Sequence, residues 1–231
     1  MQERIRSLFQ DRGYFRVEVK SLQLKPQDPL AIPKPVVAEA EVAEGPRYKV
    51  GEITFVKNRA FSAERLRQEF PMKAGEWFAR GKVATGLEAL RKLYGADGFL
   101  DDVAIPETEF GSNATANLRL SFDEGPQYHL QNVEILAKKD LAAKLRVQWK
   151  LEAGAVYDHG YIDRYIEENR DLLPTGFRRE QVQVVRDCPQ ALVDVRFVVD
   201  AGEDASKSAP KDVPCETKDK KDPSKAKVGD Q

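Results

Sequence analysis

The sequence predicts an α+β chain of tandem β-α-α-β-β units, each a small three-stranded mixed sheet with two helices on one face. Three observations carry that prediction. The chain writes EGPRYKVGEITF over residues 44–55 and EGPQYHLQNVEI over 124–135, sharing Glu-Gly-Pro-x-Tyr and then apolar residues at matching offsets: Val50 with Leu130, Ile53 with Val133, Phe55 with Ile135. The turn signals recur in the same register, Ala74-Gly75 with Ala153-Gly154 and Gly98-Phe99 with Gly176-Phe177. Between them lie apolar residues at helical spacing, followed by segments that alternate apolar and polar. A recurrence over this distance marks a repeated domain, because solenoid repeats have periods of roughly 20 to 50 residues.

In the unit 46–125 the stretch after the motif is the first strand, and KNRAFSAERLRQEF follows it. Ser62 is placed to cap a short helix, Glu64 puts negative charge in its first turn, and Leu66 and Phe70 share one face. Arg65 stands where a capping box has Glu or Gln, so the box is incomplete. MKAGEWF turns the chain. In RGKVATGLEALRKLYGADG the residues Val83, Leu87, Leu90 and Tyr94 mark one side of a longer helix, and Gly95 and Gly98 sit at C-cap positions. FLDDVAIPETEF is the second strand. Pro106 places it at a sheet edge, since a central strand cannot lose a ladder donor. The third strand, ANLRLSFDEG, alternates Ala116, Leu118, Leu120 and Phe122 with polar neighbours.

Residues 126–200 repeat the order: strand YHLQNVEIL, helix KDLAAKLRVQW, turn LEAG, helix GYIDRYIEENRDLL, strands FRREQVQVV and ALVDVRFVV. The chain's start reads as the end of a further copy, because IRSLFQDRGYFRVEV matches LRKLYGADGFLDDVA and VVAEAEVAEG matches ANLRLSFDEG. The expectation is that residues 1–45 are the C-terminal part of a truncated unit, frayed or loosely docked, and that the natural chain begins further upstream. Residues 201–231 are dominated by Lys, Asp, Pro, Ser and Gly and predict a disordered polar tail.

Composition narrows the chemistry. With 231 residues, 41% hydrophobic and 32% charged, the chain has room for about two domains. No apolar run approaches the roughly 18 residues of a membrane helix, and MQERIRSLFQ has no signal-peptide hydrophobic region. A net charge of -1 provides no field that would attract nucleic acid. Cys188 and Cys215 form no zinc-ligand spacing with His129 and His159; they are either two free thiols or a disulfide, which requires an oxidising compartment. Asp101-Asp102 reads as charge on an edge strand. RGKVATG lacks the glycine spacing and the Ser/Thr of a phosphate loop. Tyr48, Tyr128, Trp77 and Trp149 read as packing residues at domain junctions. No catalytic residue, cofactor site or metal site is expected, and no small-molecule substrate.

EGPRYKVGEITFVKNRAF, LRKLYGADGFLDDVAI and LRLSFDEGPQYHLQNVEI, in this strand and helix order, resemble the polypeptide-transport-associated (POTRA) repeats of outer-membrane β-barrel assembly and translocation proteins. The family usually has Gly-Asn after the first strand. Here Lys57-Asn58 keeps the Asn, and the third copy has AKKD. The resemblance implies a periplasmic or outer-membrane-associated location, with extended outer-membrane polypeptides or a β-barrel assembly or secretion subunit as partners.

A three-stranded sheet with helices on one face leaves main-chain groups at its edge open to strand addition. The second strands are the expected sites: Phe15, Val17 and Val19 in the first copy; Leu100, Asp102, Val103 and Ile105 in the next; Gln181, Val182, Gln183 and Val184 in the last. The leading expectation is a non-catalytic scaffold that binds polypeptide this way. The alternative is a structural adaptor docking to one folded partner of a membrane complex.

Overall fold

The computed structural model describes residues 1–26, 36–199 and 212–213. The chain divides into two compact units, one of Met1–Tyr94 with Asp101–Gly125, the other of Gly95–Leu100 with the residues from Pro126 onward. In unit 1, α1 (Gln2–Gln10) precedes an antiparallel pair, β1 (Glu18–Pro26) and β2 (Val36–Ala43). Then come β3 (Lys49–Val56), α2 (Ala63–Glu69), α3 (Arg80–Ala96), β4 (Val103–Phe110) and β5 (Thr115–Asp123). The sheet order is β3-β5-β4, with β3 parallel and β4 antiparallel to the central β5. Unit 2 repeats the path with β6 (His129–Leu136), α4 (Lys139–Gln148), α5 (Tyr161–Glu168), β7 (Val182–Asp187) and β8 (Leu192–Val198), in the order β6-β8-β7. The predicted mixed sheet is thus formed twice.

The alternation read in ANLRLSFDEG is the core. Ala116, Leu118, Leu120 and Phe122 are all buried, as are Leu66 of α2, its C-cap Phe70, and Leu90 and Tyr94 of α3, and the Tyr94 ring stacks on Phe122 at 5.3 Å between centroids. Ser62 caps α2, its hydroxyl accepting the Arg65 N–H at 3.2 Å. Gly95 lies inside α3, and Gly98 alone is the left-handed C-cap glycine, with φ +83°. Gly86, which carried no signal of its own, lies against the buried Phe70 ring, whose nearest atom would be 2.4 Å from an added Cβ. In unit 2 the same layer is Val193, Val195 and Phe197 against Leu145, Ile162, Tyr165 and Ile166.

The repeated motif has a structural purpose. Gly45 and Gly125 hold φ of +68° and +65°, a turn that a Cβ would strain. Tyr48 and Tyr128 then enter the core. Tyr48 donates its N–H to the Gly13 carbonyl and accepts from Phe78 N–H, at 2.8 and 3.0 Å. Tyr128 donates to Gly98 and accepts from Tyr157, at 2.8 and 2.9 Å. One residue on, Lys49 and His129 donate to Ala114 and Ala191, the left-handed residues of the two hairpins. Glu124 Oε1 accepts three bonds, from the buried Tyr94 hydroxyl at 2.8 Å, Arg59 N–H at 2.8 Å and Ala60 N–H at 3.0 Å. This ties the end of β5 to α3 and to the loop after β3.

The N-terminal segment is docked, which corrects the expectation of a frayed start. Besides the Tyr48–Gly13 bond, Gly81 N–H donates to Asp11 Oδ1 at 2.7 Å and the Arg47 Nε–H to the Arg12 carbonyl at 2.6 Å. The Phe15 ring packs on Phe78 and Phe110, with centroids 5.5 and 5.0 Å apart. With the Arg80 guanidinium donating to Gln10 Oε1 at 3.1 Å, these contacts fasten α1 and the loop after it to the rest of unit 1. Trp77 also departs from expectation: it is 43% exposed, with the Arg47 guanidinium 3.7 Å from its ring centroid. The predicted tail lies outside the described residues apart from Asp212 and Val213.

Two stability measurements check this account. Glu124→Ala leaves the buried Tyr94 hydroxyl without its acceptor, so denaturant unfolding should show a loss of about 1–3 kcal/mol, whereas Glu44→Ala on the exposed first copy of the motif should stay within about 0.5 kcal/mol of the parent. Lys57 occupies the left-handed region, with φ 64°, so Lys57→Gly should raise stability by about 1 kcal/mol.

Candidate strand-docking edges

Each three-stranded sheet has two outer strands, and the fold treats them differently. The start of β3 is covered on its outer side: Val50 N–H donates to the Glu76 carbonyl at 2.7 Å, and Gly75 N–H donates back to the Val50 carbonyl at 2.8 Å. In β6, Leu130 makes the same pair with Ala155 and Gly154, at 2.9 and 2.7 Å. Among the described residues, the strands β4 and β7 receive no such turn, which makes them the candidate edges for a further strand.

The register shows which groups face outward. Gly111 N–H donates to the Thr115 carbonyl at 2.8 Å, a hydrogen-bonded pair at the hairpin. Along an antiparallel ladder such pairs alternate with pairs that point their N–H and C=O away. The residues Glu109, Glu107, Ile105 and Val103 therefore bond to β5, while Phe110, Thr108, Pro106 and Ala104 direct their backbone groups outward. Pro106, lacking an N–H, thus costs the sheet nothing. Val103 supplies no edge donor; the outward N–H groups of β4 belong to Ala104, Thr108 and Phe110. On the sheet face away from the helices, Val103 and Ile105 are 44% and 51% exposed. An open cleft of about 520 Å³ adjoins Ile105, lined also by Lys57, Arg59, Ser121, Asp123 and Glu124.

In β7 the outward set is Val182, Val184, Arg186 and the following Cys188, because Arg186 accepts from Val213 N–H and Cys188 donates to the Val213 carbonyl. The outer side of β7 is already partly occupied. Parallel pairing of Val213 with Asp187 supplies the bridge, and Asp212 Oδ1 accepts the Arg186 N–H at 2.8 Å. No sequence pattern announces this contact, since two residues inside a polar stretch carry no strand signal.

The other expected edge residues fall elsewhere. Phe15 and Val17 precede β1 and are half-buried and buried, so they anchor the segment and offer no edge. Val19 lies in β1, opposite Val42 of β2. Leu100 precedes β4 and packs against the core of unit 2. Gln181 ends a short 3-10 turn, Arg179–Gln181, where its side chain accepts the Arg178 N–H at 2.9 Å. Val182, Gln183 and Val184 do lie on β7, with Val182 buried.

Residues 48–125 match the family model for POTRA, the surface antigen variable number repeat. Two solved structures are similar to the chain. One is the POTRA3-5 segment of BamA from Haemophilus influenzae, at 18% identity and a TM-score of 0.63, covering 86% of this chain and 78% of that one. The other is BamA from Haemophilus ducreyi lacking POTRA domains 1-3, at 16% identity and a TM-score of 0.53, covering 66% of this chain and 29% of that one. At these identities the likeness is one of fold. The tandem POTRA-like fold read from the repeats is therefore present, and β4 is the second strand of the sheet in the residues that match.

Asp102 stands immediately before β4, and burial pushes its carboxyl up to about 6, against the favourable charge of Arg91. The sign is opposite to that of a salt-bridged carboxylate. A native pKa above the ordinary 3.8 means the folded chain takes up this proton first, so stability gained from Asp102 appears as pH falls from above about 6 towards 4. Asp102→Asn should raise the melting temperature at pH 7 and flatten its dependence between pH 7 and pH 5, as followed by circular dichroism.

Proposed function

We propose that the chain is a non-catalytic periplasmic scaffold for outer-membrane protein assembly or polypeptide transport, and that it engages extended polypeptide by strand addition. The observation that carries this reading is the outer side of β4. It offers alternating backbone donors and acceptors at Ala104, Thr108 and Phe110 beside exposed Val103 and Ile105, within the residues that match the POTRA family model. Main-chain bonds to such an edge accept any sequence, while the apolar pair favours strands that alternate apolar with polar residues, as barrel strands do. Glu107 and Glu109 add charge that discourages unregulated edge pairing. The division into repeats at 46–125 and 126–200, preceded by the second half of another, belongs to the same proposal.

Binding by this route is weak. Each net main-chain bond contributes about 0.5–1.5 kcal/mol, and ordering a flexible peptide offsets much of the sum, giving a Kd above about 10 μM.

The test uses proline on the correct parity. Thr108→Pro removes an outward donor and leaves the ladder to β5 intact, so the variant should fold cooperatively and lose capture of an alternating apolar peptide by about fivefold or more. Glu107→Pro, which removes a ladder donor, should instead lower stability. A photoreactive residue at Ile105 should cross-link to such peptides. If folded Thr108→Pro captures peptide as well as the parent, and cross-links form only with one folded protein, the adaptor reading replaces this one.

A further inference from the structure

We propose that Arg12, Arg47, Lys49 and Trp77 of unit 1 form a docking surface for an acidic segment of a partner protein, built from side chains where the β4 edge is built from backbone. Three contacts hold Arg47 in place. Its Nε–H donates to the Arg12 carbonyl at 2.6 Å, and its guanidinium lies 3.7 Å from the Trp77 ring centroid and 5.7 Å from that of Tyr14. Lys49 forms an antiparallel bridge with Trp77 and brings its ammonium to 5.3 Å from the same indole. Trp77 is nevertheless 43% exposed. It borders an open cleft of about 430 Å³, lined also by Asp11, Arg12, Arg47, Glu76 and Lys82.

The charges around this cleft differ in what they already do. Lys82 pairs with Glu76 at 3.0 Å, and Asp11 Oδ1 accepts the Gly81 N–H at 2.7 Å. Among the described residues, Arg12, Arg47 and Lys49 enter no ion pair, and the terminal nitrogens of Arg47 meet no acceptor. A guanidinium fixed between two rings with its terminal nitrogens open is preorganised for the two oxygens of a carboxylate. The second copy shows that the fold does not need the cluster. Gln127 stands at the position of Arg47 and makes the same bond, its Nε2–H donating to the Asp97 carbonyl at 2.9 Å. His129 and Val156 form the bridge that Lys49 and Trp77 form in unit 1. With Asp97 for Arg12, Gln127 for Arg47 and Val156 for Trp77, both arginines and the indole are gone while the backbone path is kept.

The partner that fits is an acidic peptide segment with an apolar side chain among its carboxylates. The carboxylates meet Arg12, Arg47 and Lys49, and the apolar side chain covers the open part of Trp77. Tryptophan and arginine are also the residue types that carry much of the binding energy at protein interfaces. A bilayer is the poorer fit. Inserting the indole would draw the Arg47 guanidinium stacked on it into hydrocarbon. A broad anionic surface would also face Asp11 and Glu76 in the same cleft, whereas a peptide can set its carboxylates on the open cations alone. Attraction of this kind is screened by salt.

The test titrates the full chain with a short peptide of glutamates around a single leucine, and with the same peptide carrying glutamine for glutamate. Binding is followed by NMR at the indole N–H signals of Trp77 and Trp149, told apart with Trp77→Val. The glutamate peptide should shift the Trp77 signal and leave Trp149 in place, and the glutamine peptide should shift neither. Arg47→Gln and Trp77→Val install residues that unit 2 already accommodates, so both should keep a cooperative melt and weaken binding by about fivefold or more. Lys82→Gln, whose charge is already paired, should change it by less than about twofold. If either core variant unfolds, the exposed Lys49→Gln replaces it, with about threefold weaker binding expected. Equal binding of the two peptides, or unchanged affinity in folded Arg47→Gln, overturns the inference. So does Arg47-dependent sedimentation with phosphatidylglycerol vesicles in the absence of peptide binding, which assigns the surface to lipid instead.

Discussion

Each unit depends on one buried tyrosine whose backbone is fully used. Tyr48 and Tyr128 follow a Gly-Pro turn, and each gives its N–H to a left-handed glycine and receives an N–H from the loop between the helices. The next residue is tied to the hairpin between the second and third strands, and the one after that to the helix–helix turn. Three separate parts of the unit are therefore fastened to three consecutive residues. Buried backbone groups must find partners, and here the same few residues satisfy them for every crossing of the chain. The start of the first strand, the placement of both helices and the closing of the hairpin follow from this arrangement.

The same arrangement decides which edge is free. By bonding to the helix–helix turn, the first strand loses the beginning of its outer side, and the parallel connection makes the third strand central. Among the described residues of each three-stranded sheet, the second strand is left with an outer side that no turn covers. Backbone parity, more than side-chain chemistry, sets which groups that outer side presents. Ala104 and Thr108 offer N–H groups that Val103 and Ile105 cannot, although Val103 and Ile105 are the residues that hydropathy brings to notice. In unit 2 that parity is already in use at Arg186 and Cys188, by Val213 of the same chain.

Some features were legible and others were not, for definite reasons. The repeat, the core residues Leu118, Leu120 and Phe122, the cap at Ser62 and the edge placement of Pro106 all come from periodicity or local chemistry, which sequence records directly. The roles of Glu124 and Gly86 were not legible. Glu124 acts through a tyrosine and two amides far away in the chain, and Gly86 matters because Phe70 of another segment lies against it. The edge residues were legible only to within a few positions: the strands begin at Glu18, Val103 and Val182, so Phe15, Val17, Leu100, Asp102 and Gln181 fall in the turns before them. A turn residue with an apolar side chain looks like a strand residue until its partner is known.

What the sequence by itself determined is the succession of strands and helices and the apolar face of each element, because these depend on neighbours within a few residues. Tertiary structure alone decided which backbone groups point outward, how residues 1–26 find partners in the rest of unit 1, and that Asp212 and Val213 pair with β7. Those outcomes rest on hydrogen bonds between residues distant in the chain. A register shift of one residue would exchange every inward group for an outward one, with no change in composition or periodicity to show it.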